Sequence, residues 1–270
     1  MASLLASGER RACWRAATAS VVGVPVTVLT SAAEVLLATD HDPHARSSLR
    51  RPEVTGWAGH GAVAWRSTDP EERLPYLSTH GDPRAVALLL EDLLPELRDR
   101  TRVTLPRGTA PLLPAWVALA GPTDWDLRWL AAPPPDQPGE HRVVEVPDEQ
   151  VADHLARWSP KASASPGDPA VRGWLGIRGP TGLLAVAADT SAATGVGHLS
   201  SIAVDPAQRG QGLGAAVTAA LMRRFFAQGC DLVTLGMYAD NLAGRALYDR
   251  LGMHDDHRFT SGPLQIRSRW

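Results

Sequence analysis

Lysine is almost missing from this 270-residue chain: Lys161 stands alone, and arginine supplies the other basic residues. Without a Gly-Lys-Ser/Thr turn there is no phosphate-binding loop of the NTPase kind. A pyridoxal Schiff base could use only Lys161, in Ser159-Pro160-Lys161-Ala162-Ser163, which reads as loop. Cysteine is scarce too. Cys13 and Cys230 are too few and too far apart for a disulfide framework or a cysteine zinc cluster, which makes a reduced, intracellular setting the default. Neither charge sign is in excess, with 27 basic against 29 acidic residues and a net charge of −2. A broad basic surface for nucleic acid is thereby excluded. Long apolar runs are also lacking. Ala16 to Ala33, behind Arg10, Arg11 and Arg15, superficially resembles an export signal, but Thr18, Ser20, Gly23, Pro25, Thr27, Thr30 and Ser31 make it too polar to span a bilayer. It reads as an amphipathic helix followed by a strand over Val21 to Leu29. The expected location is cytoplasmic, with no membrane and no nucleic acid among the partners.

With 44% hydrophobic residues the chain can bury two cores. Ala131 to Glu140 holds four prolines and a glycine, which can continue neither a helix nor a central strand. The spacing therefore predicts an α/β domain over 1–132, a stiff linker over 133–140 and a second α/β domain over 141–270. In the first, Gly61–Trp65, Leu74–Ser78, Arg102–Leu105 and Trp125–Leu130 read as strands. Asp82-Pro83 opens a helix as N-cap and first-turn proline, with Val86, Leu89, Leu90, Leu93 and Leu94 on one face. A short helix is expected around Pro114–Val117. In the second, Arg142–Val146 reads as a strand and Asp148–Trp158 as a helix. Val171–Arg178 and Leu183–Ala188 form a hairpin. The strand His198–Val204, a helix over about Leu213–Gln228, the strand Leu232–Tyr238 and a helix over Asn241–Leu251 ending on Gly252 follow, then one more strand and a tail.

Chemistry concentrates in Asp205-Pro206-Ala207-Gln208-Arg209-Gly210-Gln211-Gly212-Leu213-Gly214-Ala215. A strand runs into a glycine-rich turn that opens a helix, whose buried stripe is Leu213, Val217, Leu221 and Phe225. The first amides of a helix lack intrahelical partners, and its dipole adds positive charge there. Glycines at 210, 212 and 214 keep β-carbons away, and Arg209 adds a cation, so a pyrophosphate is the expected guest. The run also satisfies G-x-G-x-x-A, the dinucleotide fingerprint. However, Asp205 to Arg209 lengthen the turn, and neither Asp231 nor Asp240 falls where the ribose-binding acid belongs.

The arrangement resembles the acetyl-CoA signature of the GNAT superfamily of N-acetyltransferases, Gln/Arg-x-x-Gly-x-Gly/Ala, with Arg209, Gly212 and Gly214 at its fixed positions. Downstream, Asn241 to Met253 is similar to the family's Asn-x-x-Ala-x-x-x-Tyr-x-x-x-Gly-Phe pattern, with Gly244 and Met253 as departures. The resemblance spans roughly 142–262 and implies a GNAT acyltransferase fold, a mixed sheet of α/β (α+β) type, in the second domain. The first domain has no such motif, though its strand–helix order is compatible with a degenerate copy.

From the resemblance, the amides of Gly210, Gln211, Gly212, Leu213, Gly214 and Ala215, with Arg209, would hold the pyrophosphate of acetyl-CoA. The backbone of Ile202, Ala203 and Val204 would pair with the pantetheine arm, Asn241 would touch the cofactor, and Tyr248 would protonate the departing thiolate. A phenol with pKa near 10 suits that task. The attacking amine needs a proton acceptor. His198, which would titrate near neutrality, is the candidate, with Glu145 a weaker one. His254-Asp255-Asp256-His257 and Asp40-His41-Asp42-Pro43-His44 look like metal ligands by composition, but neither has ligand spacing. Both read as solvated loops, and no metal is expected. The function expected is transfer of an acetyl group from acetyl-CoA to a small-molecule or peptide amine, by direct attack in a ternary complex. The alternatives are another acyl chain or acceptor on the same fold, or a CoA-binding sensor without turnover. Acceptor identity and oligomeric state stay open.

Overall fold

A computed structural model describes residues 25–67 and 76–267. The helix expected near the N-terminus, the start of the strand at Val21 and the first residues of the strand at Leu74 lie outside the described residues. The chain first forms β1 (Thr27–Ser31), α1 (Ala32–Ala38), α2 (Pro43–Ser48), β2 (Glu53–Gly59), β3 (Ala62–Ser67), β4 (Tyr76–His80), α3 (Pro83–Leu93), β5 (Arg102–Pro106), β6 (Val117–Leu119) and β7 (Thr123–Leu130). After the proline-rich segment come β8 (Val143–Val146), α4 (Asp148–Trp158), β9 (Gly173–Gly179), β10 (Gly182–Asp189), β11 (Val196–Val204), α5 (Leu213–Ala227), β12 (Leu232–Tyr238), α6 (Leu242–Arg250) and β13 (His254–Ile266). The short helix expected around Pro114–Val117 is not formed. A 3₁₀ turn occupies Ala110–Leu112 instead, and Val117 starts a strand, because Pro114 cannot donate within a helix.

Among the described residues, all thirteen strands join one mixed sheet, running β1-β2-β3-β4-β5-β13-β7-β12-β11-β10-β9-β8, with β6 attached to β13. Both halves follow one order: an antiparallel meander, a helix, and a strand parallel to the meander's last. Those parallel pairs are β4 with β5 and β11 with β12. The closing strands are exchanged. β7, from the first half, pairs with β12, while β13, from the second, pairs with β5. The two halves are therefore joined through the centre of the sheet.

Helix α3 starts as its sequence dictates, with Asp82 accepting from the Arg84 amide and Pro83 in the first turn. Its leucines pack on Trp57, Leu77, Val103 and Leu105. Helix α5 covers the second half through Leu213, Val217, Leu221 and Phe225 against Ile177, Leu199, Val233 and Leu235. Alternation along β11 sends Leu199 to α5, while Gly197 leaves room for the Phe225 ring. His198 points to the opposite face. There the second half lacks a second helix after α4, and α2 of the first half lies against β11 and β12 instead.

Candidate active site

The parallel pairing of β11 with β12 stops at Leu199 and Leu235. Beyond it β12 stays bound to β7 as far as Tyr238, whereas β11 turns away and the sheet opens. Ser201 lies in the opening with φ 49°, among the few non-glycine residues at positive φ. The register of β10 with β11 shifts there, between Val186↔Ala203 and Ala188↔Ser200. The Ser201 hydroxyl holds the kink by donating to the Ala164 carbonyl at 2.9 Å and accepting from its amide at 2.8 Å. Nothing in Leu199-Ser200-Ser201-Ile202 marks this bulge in the sequence.

A cavity of about 420 Å³ fills the opening. Ile202, Ala203 and Val204 form one wall, Arg209, Gly210, Gly212, Leu213, Gly214 and Ala215 its floor, and Asn241 and Tyr248 the far side. The fold thus gathers the predicted residues from three separate elements. Gln211 is the exception: its amide side chain turns back to Gln208 at 3.2 Å, and it does not line the cavity. Trp158, Ser159 and Arg250 line it without having been predicted. Trp158 and Ser159 lie outside both motifs that direct attention in the sequence, and Arg250 occupies an unspecified position of the second.

The glycine turn has the stereochemistry an anion needs. Gly210 and Gly212 have φ of 79° and 78°, and a Cβ added at either would meet no atom within 4 Å. Both face open space where L side chains are strained. Gly212 is the N-cap of α5 and offers no side chain to the first-turn amides, which leaves them for a ligand. Gly214 serves a different purpose. A Cβ there would sit 3.0 Å from Leu247 and 3.3 Å from Val204, so this glycine lets α6 approach α5. Asn241 caps α6, its Oδ1 accepting from the Gly244 amide at 2.9 Å. Open glycines, unclaimed helix amides, Arg209 and an apolar strand edge suit a pyrophosphate joined to an extended arm, the chemistry of CoA.

Tyr248 is buried within α6, and burial pushes its phenol up to about 12, against the opposing pull of Arg128. It keeps its proton at any physiological pH. His198 lies apart from this cavity, in a neighbouring one on the α2 face. Its Nδ1 is 2.8 Å from the Thr234 hydroxyl. Burial, aided by the charge of Arg50, pushes its pKa down to about 4. The expectation of titration near neutrality is corrected accordingly: the ring is neutral at pH 7. Glu145, the weaker candidate for base, is paired with Arg224 at 2.5 Å and lines neither cavity.

The two histidine–aspartate clusters are solvated loops only in part: Asp40 and His41 are exposed in a turn, and His254, Asp255 and Asp256 are exposed but on a strand. His254–His257 opens β13, and Asp42 and His44 are buried. The clusters meet, with His257 Nε2 2.6 Å from Asp42 Oδ2 and His80 Nδ1 3.4 Å from the same oxygen. Asp42 also accepts from the amides of His44 and Ala45 as the cap of α2. This carboxylate is committed to holding the two halves together.

Residues 127–253 match the model of the acetyltransferase (GNAT) family. Mycothiol acetyltransferase of Kocuria rhizophila is 42% identical over 62 residues, 23% of this chain and 20% of that protein; the match spans only a fifth of the relative's length. Among solved structures, a Drosophila protein covers 89% of this chain and 99% of its own at a TM-score of 0.57 and 19% identity. A GCN5-related N-acetyltransferase from Sphaerobacter thermophilus covers 90% of this chain and 97% of its own, with TM-score 0.53 and 16% identity. A GNAT-family protein from Novosphingobium aromaticivorans covers 87% and 97%, with TM-score 0.50 and 19% identity. At such identities these structures share the fold.

Proposed function

From the premise that residues 127–253 match the model of the GNAT acetyltransferase family, we propose that the protein is an N-acyltransferase that takes an acetyl group from acetyl-CoA and passes it to an amine. The observation that carries this reading is the turn at Gly210 and Gly212, open on a cavity that also presents the free edge of β11 and the Tyr248 side chain. Bound there, an acetyl-CoA thioester supplies an acyl carbon that exchanges its C–S bond for a C–N bond, while nitrogen releases one proton and sulfur takes one.

The chain's residues divide the work. The amides at the start of α5, with Arg209, bind the pyrophosphate. The backbone of Ile202 to Val204, released from β12, takes the pantetheine arm as an added strand. Asn241, already occupied in capping α6, has its amide nitrogen left to contribute. Tyr248, protonated throughout the working range, donates to the thiolate sulfur. His198 is the acceptor for the amine proton. With a pKa near 4 it is neutral and ready but weakly basic, so the amine must reach the cavity already close to its neutral form.

The test is a thiol-release assay with acetyl-CoA and a panel of amines, with mass analysis of the product. An N-acetylated product supports the reading. Tight acetyl-CoA binding with no thiol release on any amine contradicts it and favours a sensor.

A further inference from the structure

On the α2 face of the sheet, two hollows of about 280 and 490 Å³ adjoin, sharing Arg50, Thr190, Ala192 and His198 as walls. Both halves of the chain build them. Arg50 and Arg51 follow the end of α2, whereas Arg172 precedes β9 and comes from the other half. Among the described residues, the fixed charges of the walls are three arginines and one carboxylate, Asp168, which already accepts from the Ala170 amide at 2.8 Å. This cationic lining sits on a chain whose net charge is −2. The hydroxyls of Ser163, Ser191 and Ser200 complete the polar wall.

Guanidinium groups do not lose their proton, and their planar donors match carboxylate and phosphate oxygens. A cluster of them in a partly enclosed cavity favours an anion and repels a cation. Arg50 acts on His198 in this way, helping to keep its ring neutral against the opposing influence of Asp189. The same field favours the neutral form of an amine brought to that wall, which is the form that attacks a thioester.

We propose that the acceptor is a small amine that also bears an acid group, a carboxylate or a phosphate, and that Arg51 and Arg172 hold this acid group while the amine lies toward His198. This rests on the N-acyltransferase reading. It assigns to α2 and the residues after it a role in choosing the acceptor, and it disfavours polyamines and lysine-rich peptides.

The test uses the full chain and amines in matched pairs: glutamate with glutamine, phosphoethanolamine with ethanolamine, and glucosamine 6-phosphate with glucosamine. Acetyl-CoA-dependent thiol release and calorimetric titration of the CoA-bound protein are both read. The acid member of at least one pair is expected to exceed its neutral partner at least tenfold in kcat/KM or in affinity. The double variant Arg51→Gln/Arg172→Gln should lose that preference, mainly through KM, while acetyl-CoA affinity stays within twofold. Absence of any acid preference in both readouts overturns the proposal. So does a preference for neutral members, or an acid preference that survives in the folded double variant. Failure of acetyl-CoA to bind the wild type overturns the N-acyltransferase reading instead, and the two failures are thus distinguished.

Discussion

Asp249 on α6 is ion-paired with Arg128 on β7, a strand 121 residues earlier that precedes the proline-rich segment. One turn back along α6, Arg245 pairs with Asp126 on the same strand. Tyr248 lies between these two anchors, so the first half of the chain fixes the helix that carries the proposed acid. Arg128 is fully buried, whereas Asp249 is half exposed. Removing one partner of such a pair has unequal consequences. Asp249→Ala leaves a buried cation with Asp255 at 3.5 Å and the more distant charge of Asp126, and should cost about 2–3 kcal/mol and lower kcat. Arg128→Met leaves an exposed carboxylate and should change stability by less than about 1 kcal/mol. Denaturant unfolding of both variants checks this asymmetry; equal losses would contradict it.

Replacing Tyr248 by phenylalanine keeps the ring in its packed slot and removes only the hydroxyl. Acetyl-CoA affinity and melting temperature should hardly move, while kcat falls by about 10²-fold, the scale of a positioned general acid. Because burial holds this phenol near 12, the wild type should show no basic limb from Tyr248 below about pH 11. Wild-type turnover in Tyr248→Phe at saturating substrates would make the residue a packing element.

The neutrality of His198 has a kinetic and a thermodynamic signature. If its ring accepts the amine proton, the acid limb of kcat/KM belonging to the free enzyme should lie near pH 4 rather than 6.5, and His198→Gln should lower kcat by about 10²-fold. His44, buried against Phe259 with ring centroids 4.5 Å apart, is also held near 4. Both folded values lie below that of an unfolded histidine. Their contribution to stability is therefore complete above about pH 6.5 and lost as pH falls toward 4. Melting temperature should drop across that window, and less so in His44→Phe. A flat profile from pH 7 to 4.5 would contradict the assignment.

A single acetyl-CoA should bind per chain. The first half has a helix in the place equivalent to α5, but Asp82 occupies its N-terminus and satisfies the Arg84 amide, putting a carboxylate where a phosphate would sit. The parallel strands beside it are also tied together past their pairing, through the Thr79 hydroxyl donating to the Thr104 carbonyl at 2.8 Å. Calorimetry should return a stoichiometry of one; a value of two would mean that the first half also binds the ligand.

Local signals made much of this legible in the sequence. The stripe Leu213, Val217, Leu221, Phe225, the cap at Asp82 and the motifs around Gly212 and Tyr248 each act within one turn or one strand–turn–helix unit. The illegible features depend on residues far apart. The exchange of β7 and β13 joins strands through pairs such as Phe259↔Trp125 and Ser261↔Thr104, and no periodicity encodes a partner. Asp42 and His257 read as loop residues because each is short of ligands alone, and their contact closes over 215 residues of chain. Arg50, Arg51 and Arg172 look like ordinary surface charges until α2 of one half comes to rest on the sheet of the other.

The central claim is that the turn at Gly210 and Gly212 holds the pyrophosphate of acetyl-CoA, and titration of acetyl-CoA into wild type and Gly212→Val tests it most directly. At φ 78° a valine is strained, and its side chain projects into the space left for phosphate oxygens. With folding verified by circular dichroism, the wild type should bind and the variant should bind more than tenfold more weakly, a loss of at least about 1.4 kcal/mol. Unchanged affinity in a folded Gly212→Val protein, or no binding by the wild type, would contradict the account.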